Sequence, residues 1–101
     1  MYKHEIIFIA KPEQEKDVKF ILADVEYFME KYGYEQDTEI WGKRKLAYPI
    51  KSFKEGIYCH IDCWSDSSDN KKDQMLIVKL NDYFNKSEEV MKHIIVNNTD
   101  L

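Results

Sequence analysis

Apolar residues recur with a helical period in the first third of the chain. From Val18 to Tyr32 they recur at spacings of three and four, which is typical of an amphipathic helix. Pro12 is suited to an early helical position, and Gly33 follows the last apolar residue, where a helix commonly ends. We therefore predict a helix opening at Pro12, with these residues facing the core: Val18, Ile21, Leu22, Val25, Phe28, Met29 and Tyr32.

Four other segments have the composition or alternation of strands. They are residues 3–10, 34–48, 56–64 and 89–96, and the third alternates apolar and polar residues without interruption. Gly42 indicates a bulge or sharp twist inside the second strand. Pro49 and the "KSFKEG" segment that follows it predict the turn between the second and third strands.

A second helix is predicted between the third and fourth strands. It runs from about Lys71 to Tyr83, after the polar segment "SDSSDN", which offers several N-cap residues. The residues that it would bury are Leu76, Ile77, Leu80 and either Tyr83 or Phe84.

The predicted order of elements is β-α-β-β-α-β, which defines the fold class. With right-handed crossovers this order gives an α+β, ferredoxin-like fold: a four-stranded antiparallel sheet with both helices on one face. At 101 residues, we expect one domain covering residues 1–101.

Apolar run length, net charge and cysteine count argue against several classes of function. No apolar run is long enough for a membrane helix, and no small-residue cleavage site follows the short apolar N-terminal run, so we expect neither a membrane partner nor a signal peptide. The net charge of −4 counts against a general nucleic-acid-binding protein, which is usually basic, and we expect no DNA partner. Two cysteines without a further pair indicate reduced thiols and a cytoplasmic setting.

One segment has the opposite charge from the rest of the chain. Five of the 15 basic residues lie between Ile40 and Lys54, a window without Asp or Glu that contains "WGKRKLAYPIK". Lysines on a strand edge also protect against aggregation, which is the simpler explanation for two of them. We favour a contact with a polyanion, because phosphate binding requires clustered cations of this kind.

The residue patterns that support catalysis or metal binding are weak. Cys59, His60 and Cys63, with His4 and His93 as further ligands, suggest a metal site, but alternation places the two cysteines on the core face and His60 on the other. We therefore expect buried core thiols and no metal or other cofactor. No phosphate-binding glycine loop, nucleophile pattern or carboxylate pair is present, so the sequence does not predict an enzyme.

Aromatic residues on the third strand leave two interpretations open. Tyr58, His60 and Trp64 share one face of that strand. Aromatics on the helix-free face of such a sheet stack on unpaired bases in some RNA-binding domains. They equally serve to cover the sheet or meet a protein partner, which we slightly favour because the segment lacks the basic-glycine-aromatic pattern of an RNA-recognition motif.

The motifs together resemble a known family. "WGKRKLAYPIK" followed by "KEGIY", with "MYKHEIIFI" at the start and "EEVMKHIIV" at the end, is similar to bacterial-type small-subunit ribosomal protein S6. The resemblance covers nearly the whole chain in the same order. It implies a structural role on the ribosome, in the cytoplasm or an organelle: binding small-subunit rRNA together with ribosomal protein S18, without catalysis or a cofactor.

The resemblance also suggests which residues contact RNA. By motif these are Lys3, Lys43, Arg44, Lys45 and Lys92, whereas Lys51 and Lys54 are added on the charge argument alone. Two positions depart from the family pattern: Tyr2, where a basic residue is frequent, and His4, where Tyr is frequent.

A rival interpretation from another class remains. The acidic composition also suits a ferredoxin-like protein–protein or small-ligand interaction module that does not bind RNA, because one scaffold of this kind hosts many functions.

Overall fold

The computed structural model describes residues 1–13, 15–66 and 69–99. Its elements follow the predicted order: β1 (Tyr2–Ala10), α1 (Glu15–Lys31), β2 (Glu35–Ile50), β3 (Phe53–Ser65), α2 (Asn70–Lys86) and β4 (Val90–Asn97). The four strands form one antiparallel sheet in the order β2-β3-β1-β4. The predicted fold class is confirmed. No helix in the described part of the chain is long and apolar enough to cross a membrane.

Several predicted boundaries are wrong, since α2 ends at Lys86 rather than Tyr83 and β3 begins at Phe53 rather than Gly56. Pro12 and Glu13 form a turn, and α1 begins at Glu15. Pro49 belongs to β2, and the turn is confined to Lys51 and Ser52, both with positive φ (49° and 72°). The hairpin is therefore longer and its turn tighter than the Pro and Gly residues suggested. The N-cap of α2 is Asp69, whose carboxylate accepts from the amides of Lys71 and Lys72, while Ser67 and Ser68 of the same segment lie outside the described residues.

The core lies between the sheet and the two helices. β1 and β3 are the central strands, and their alternate residues are fully covered by α1 and α2. On the helices, Val18, Val25 and Met29 are buried as predicted, whereas Leu22 and Phe28 are only partly buried. The buried face of α1 is therefore narrower than the apolar spacing in the sequence predicted. On α2 the buried apolar residues are Leu76, Leu80 and Phe84, with Ile77 and Tyr83 partly covered.

Both cysteines lie in this core, as predicted. Cys59 and Cys63 are free and essentially inaccessible, and they lie four residues apart on β3, too far for a disulfide. Burial raises the pKa of each thiol to about 12. The side chain of His60 lies on the opposite face of the strand, so these three residues cannot coordinate one ion.

We expect both thiols to react slowly with a thiol reagent at neutral pH until the protein is unfolded. Little thiolate is present far below a pKa of about 12, and the thiolate is the reactive form. Timed labelling followed by mass spectrometry measures this directly, with the urea-unfolded protein as the control. Rapid labelling of the native protein would contradict the face assignment of β3.

A polar cluster that the sequence did not predict is buried beside Cys63. The Asp73 carboxylate on α2 lies 2.6 Å from His4 Nε2 on β1 and accepts a hydrogen bond from the Tyr34 hydroxyl. All three residues are buried. The cluster joins α2, β1 and the entry to β2, because each element contributes one member.

Candidate nucleic-acid interface

The hairpin of β2 and β3 extends beyond the rest of the sheet. Ile57 is the last β3 residue paired with β1, opposite Ala10, whereas β2 and β3 continue to pair as far as Ile50 and Phe53. Residues 43–56 therefore form a two-stranded ribbon without a third strand, which we call the hairpin arm. The molecule is correspondingly elongated, with extents of 41 × 23 × 21 Å.

The arm is close to the body of the sheet at Gly56. A Cβ atom at this residue would lie 2.4 Å from Ile9 Cγ2 and 2.8 Å from Met91 Cε, so the glycine lets β3 cross close to β1 and β4. Gly42, on the other strand, has a φ of +87° beside the register shift between Ile40 and Gly42. The predicted bulge is thus present. The two glycines set the direction in which the arm leaves the sheet.

The arm presents cations on both of its faces. Side chains alternate along a strand, so Lys43 and Lys45 point to the helix side, while Arg44 and Lys54 point to the helix-free side, the open face. Lys51 lies at the tip. All five are exposed, and none forms an ion pair within the described residues. Glu55 is the one acidic residue of the arm.

Arg44 is held by a stack of rings on the open face. Its guanidinium lies 5.5 Å from the centre of the Trp41 ring, and Trp41 stacks on His60 at 5.1 Å with nearly parallel planes. His60 in turn lies 2.6 Å from a carboxylate oxygen of Glu5, and this contact lowers the pKa of Glu5. An arginine stacked on an aromatic ring loses less freedom when it binds a phosphate.

Lys92 belongs to the same surface, although it lies on β4. The register shift between Lys45 and Ile50 puts extra residues into β2, and Tyr48 comes to lie over the open face. Lys92 Nζ donates to the Tyr48 hydroxyl at 3.1 Å and lies 5.7 Å from the centre of its ring. Beneath them is a groove of about 330 Å³, with Ile7 and Tyr58 among its lining residues. The structure therefore places five of the seven predicted RNA-contacting residues on the arm, and a sixth, Lys92, in contact with Tyr48 of the arm.

Lys3 is separate from them. It pairs with Trp64 of β3. Trp64 lies six residues along β3 from Tyr58, and Tyr58 is opposite Ile9, the β1 residue that pairs with Lys92. Six residues of strand correspond to about 20 Å. Lys3 is exposed, but it lies at the other end of the sheet from the arm.

The three aromatic residues of β3 are engaged by the protein itself. Tyr58 lines the groove, His60 is covered by Trp41, and the Trp64 indole donates to Glu35 at 3.0 Å. This arrangement favours the interpretation that they cover the sheet. His60 is also one of three residues, with Glu5 and Asp62, whose ligand atoms lie within 4.8 Å of one another, but its Nε2 is already paired with Glu5.

The sequence pattern did not identify Trp41 and Tyr48, whose rings contact Arg44 and Lys92 in the structure. Both stand inside the basic segment, interleaved with its cations, and that interleaving was the available signal. It could not show the direction of either ring, because the bulges at Gly42 and before Ile50 change which face each residue occupies.

Comparisons with known proteins show which family the chain resembles. The model of the family "Ribosomal protein S6" matches residues 3–97. The small ribosomal subunit protein bS6 of Clostridium acetobutylicum is 33% identical over 100 residues, covering 95% of this chain and 96% of that protein. The bS6 of Dictyoglomus turgidum is 42% identical over 60 residues, which are 57% of this chain and 62% of that protein.

A solved structure has the same fold. The crystal structure of 30S ribosomal protein S6 from Thermotoga maritima superposes with a TM-score of 0.77, covering 96% of this chain and 87% of that one at 24% identity. The relatives are ribosomal structural proteins rather than enzymes, and proteins of this kind reside with the ribosome in the cytoplasm. The chain belongs to the ribosomal protein S6 family and is a structural constituent of the small ribosomal subunit.

Proposed function

We propose that this protein binds small-subunit rRNA through its hairpin arm, jointly with ribosomal protein S18. The observation that carries the proposal is the concentration of cations on the arm, in an otherwise acidic chain. Five exposed cations lie on the arm (Lys43, Arg44, Lys45, Lys51 and Lys54), and Lys92 of β4 contacts the arm through Tyr48. Within the described residues none of these six cations forms an ion pair. Family membership supports the same assignment.

The shape of the arm suits the phosphate backbone. A two-stranded ribbon with cations on both faces contacts phosphates on two sides at once, and such contacts position a protein on RNA without reading its sequence. Arg44 and Lys92 are each held by an aromatic ring, so part of the surface is ordered before RNA arrives. Lys3 is too far away to join this contact and would meet a different part of the RNA.

The acidic surface beyond the arm supports a basic protein partner. On the open face, Glu5, Asp62 and Asp37 lie opposite one another across three neighbouring strands. Like charges in directly opposed positions destabilise a sheet. His60 lies 2.6 Å from Glu5 and 3.9 Å from Asp62, but no Lys or Arg pairs with these carboxylates in the part of the chain that the structure describes. A partner with basic side chains would relieve this repulsion, and we assign that role to S18.

Joint binding has a measurable consequence. If S18 covers the acidic surface, that surface no longer repels rRNA, so S18 should strengthen RNA binding by this protein. By thermodynamic linkage, RNA should strengthen the binding of S18 to this protein by the same factor. The two affinities can be measured by filter binding of a central-domain rRNA fragment, with and without S18. Asp37→Lys should reduce the effect of S18, whereas Asp82→Lys on the exposed face of α2 serves as the matched control. Equal RNA affinity with and without S18 would contradict joint binding.

A further inference from the structure

The outward face of α1 carries apolar residues that no other part of the described structure covers. Phe20 and Tyr27 are 70% and 62% exposed, and Ala23 lies between them at helical spacing. The buried residues of α1, such as Val18 and Val25, lie on the opposite side of the helix, so this face points away from the sheet. A groove between α1 and β2, lined by Phe20, Ala23 and Ile40, extends the apolar surface sideways.

Charged residues complete a continuous stripe along this face. Lys16, Phe20, Ala23, Tyr27 and Glu30 follow one another at spacings of four and three, so they form one row over about 21 Å. The row is basic at its N-terminal end, apolar in the middle and acidic at its C-terminal end. All five residues are exposed.

A second copy of this row, running in the opposite direction, would place its acidic end against the basic end of the first. We propose that two copies of the chain associate through an antiparallel pairing of their α1 helices, related by a two-fold axis beside Ala23. That pairing places Lys16 of one copy against Glu30 of its partner and Phe20 against Tyr27. A two-fold axis brings the same flank of each helix together, so Lys19 also meets Glu26, again with opposite charges.

The local chemistry favours close approach at the axis. Ala23 is small, which lets two helix backbones come near each other where they cross. Asp24 flanks the axis, but its carboxylate accepts a hydrogen bond from the Tyr83 hydroxyl at 2.6 Å and is directed toward α2. A parallel pairing would instead bring Lys16 against Lys16 and Glu30 against Glu30. The charge pattern therefore selects the antiparallel arrangement.

The contact would be modest in size. One helix pair buries less than the roughly 1,200–2,000 Å² of a standard stable interface, so we expect a reversible dimer that forms at high protein concentration. The hairpin arm is outside the pairing, so self-association and RNA binding are tested by different residues.

Sedimentation of the full-length chain over increasing concentration tests the proposal. The weight-average mass should rise from 12.2 kDa toward twice that value, 24.4 kDa. Lys16→Glu or Glu30→Lys alone should raise the dissociation constant about threefold to tenfold, since each pair occurs twice in the dimer. The double variant, Lys16→Glu with Glu30→Lys, exchanges the two charges and should restore association. Lys79→Glu on the exposed face of α2 is the control and should have no effect.

A cross-link locates the axis independently. Ala23→Cys should form a disulfide-linked dimer under mild oxidation, because the two copies of this residue would face each other, whereas the native cysteines are buried. A wild-type protein that stays monomeric at every concentration would overturn the proposal. So would a double variant no better than the single ones, or an Ala23→Cys protein that fails to cross-link while it still associates.

Discussion

Replacing Asp73 with Ala is expected to destabilise the protein by about 2–5 kcal/mol. The carboxylate accepts hydrogen bonds from both His4 and Tyr34, and all three side chains are buried. Removing it leaves two buried donors without an acceptor, and each costs about 1–3 kcal/mol. The free energy of unfolding, from urea titration followed by circular dichroism, measures this loss.

Two further variants separate the cluster from a general effect on α2. Asp82→Ala removes an acidic residue from the exposed side of the same helix, where it pairs with Lys86, and should cost no more than about 1 kcal/mol. Tyr34→Phe removes one of the two donors, so its cost and that of Asp73→Ala should be less than additive in the double variant. If Asp73→Ala cost no more than Asp82→Ala, the cluster would contribute little to stability.

The elements that the sequence predicted best are those whose apolar spacing is decided by one buried face. The β3 alternation is unambiguous, and the burial of Cys59 and Cys63 followed from it. The core stripe of α1 was predicted at Val18, Val25 and Met29 for the same reason. These segments meet the core on one side only, so periodicity and burial coincide.

The errors fall where local residue preferences were outweighed by the rest of the chain. Pro49 is typical of a turn, but it lies in a two-stranded ribbon where β2 is an edge strand. A missing backbone amide costs little in that position. Asp73 has the spacing of a surface residue near a helix start, and its partners His4 and Tyr34 are distant in sequence. The burial of a polar side chain that depends on partners distant in sequence cannot be predicted from residue spacing along one helix.

The basic segment was recognisable, but its arrangement was not. Counting charges identified Lys43, Arg44 and Lys45, and the register of β2 then showed that they divide between two faces. Lys92 joined them only because the bulge before Ile50 carries Tyr48 across the open face. Lys3, which the family resemblance had suggested, lies at the opposite end of the sheet.

Replacing Lys43, Arg44 and Lys45 together with Ala is expected to weaken rRNA binding strongly. Three lost phosphate contacts should make the log–log dependence of affinity on salt shallower by about 2–3 units, if each cation neutralises one phosphate. The loss should be similar for different RNA sequences, because phosphate contacts carry no sequence information. The side chains are exposed and outside the core, so the fold should remain intact.

The arm as the site of RNA binding is tested most directly by comparing this triple variant with a control of equal charge. Replacing Lys71, Lys72 and Lys79 on α2 with Ala removes the same three charges from exposed positions distant in sequence from the arm. The measurement is the affinity for the rRNA fragment across a salt series with S18 present. We predict that the arm variant loses affinity and salt dependence while the α2 variant binds nearly as wild type. Equal losses in both variants, or an arm variant that binds as wild type, would contradict the assignment of the arm as the RNA-binding surface.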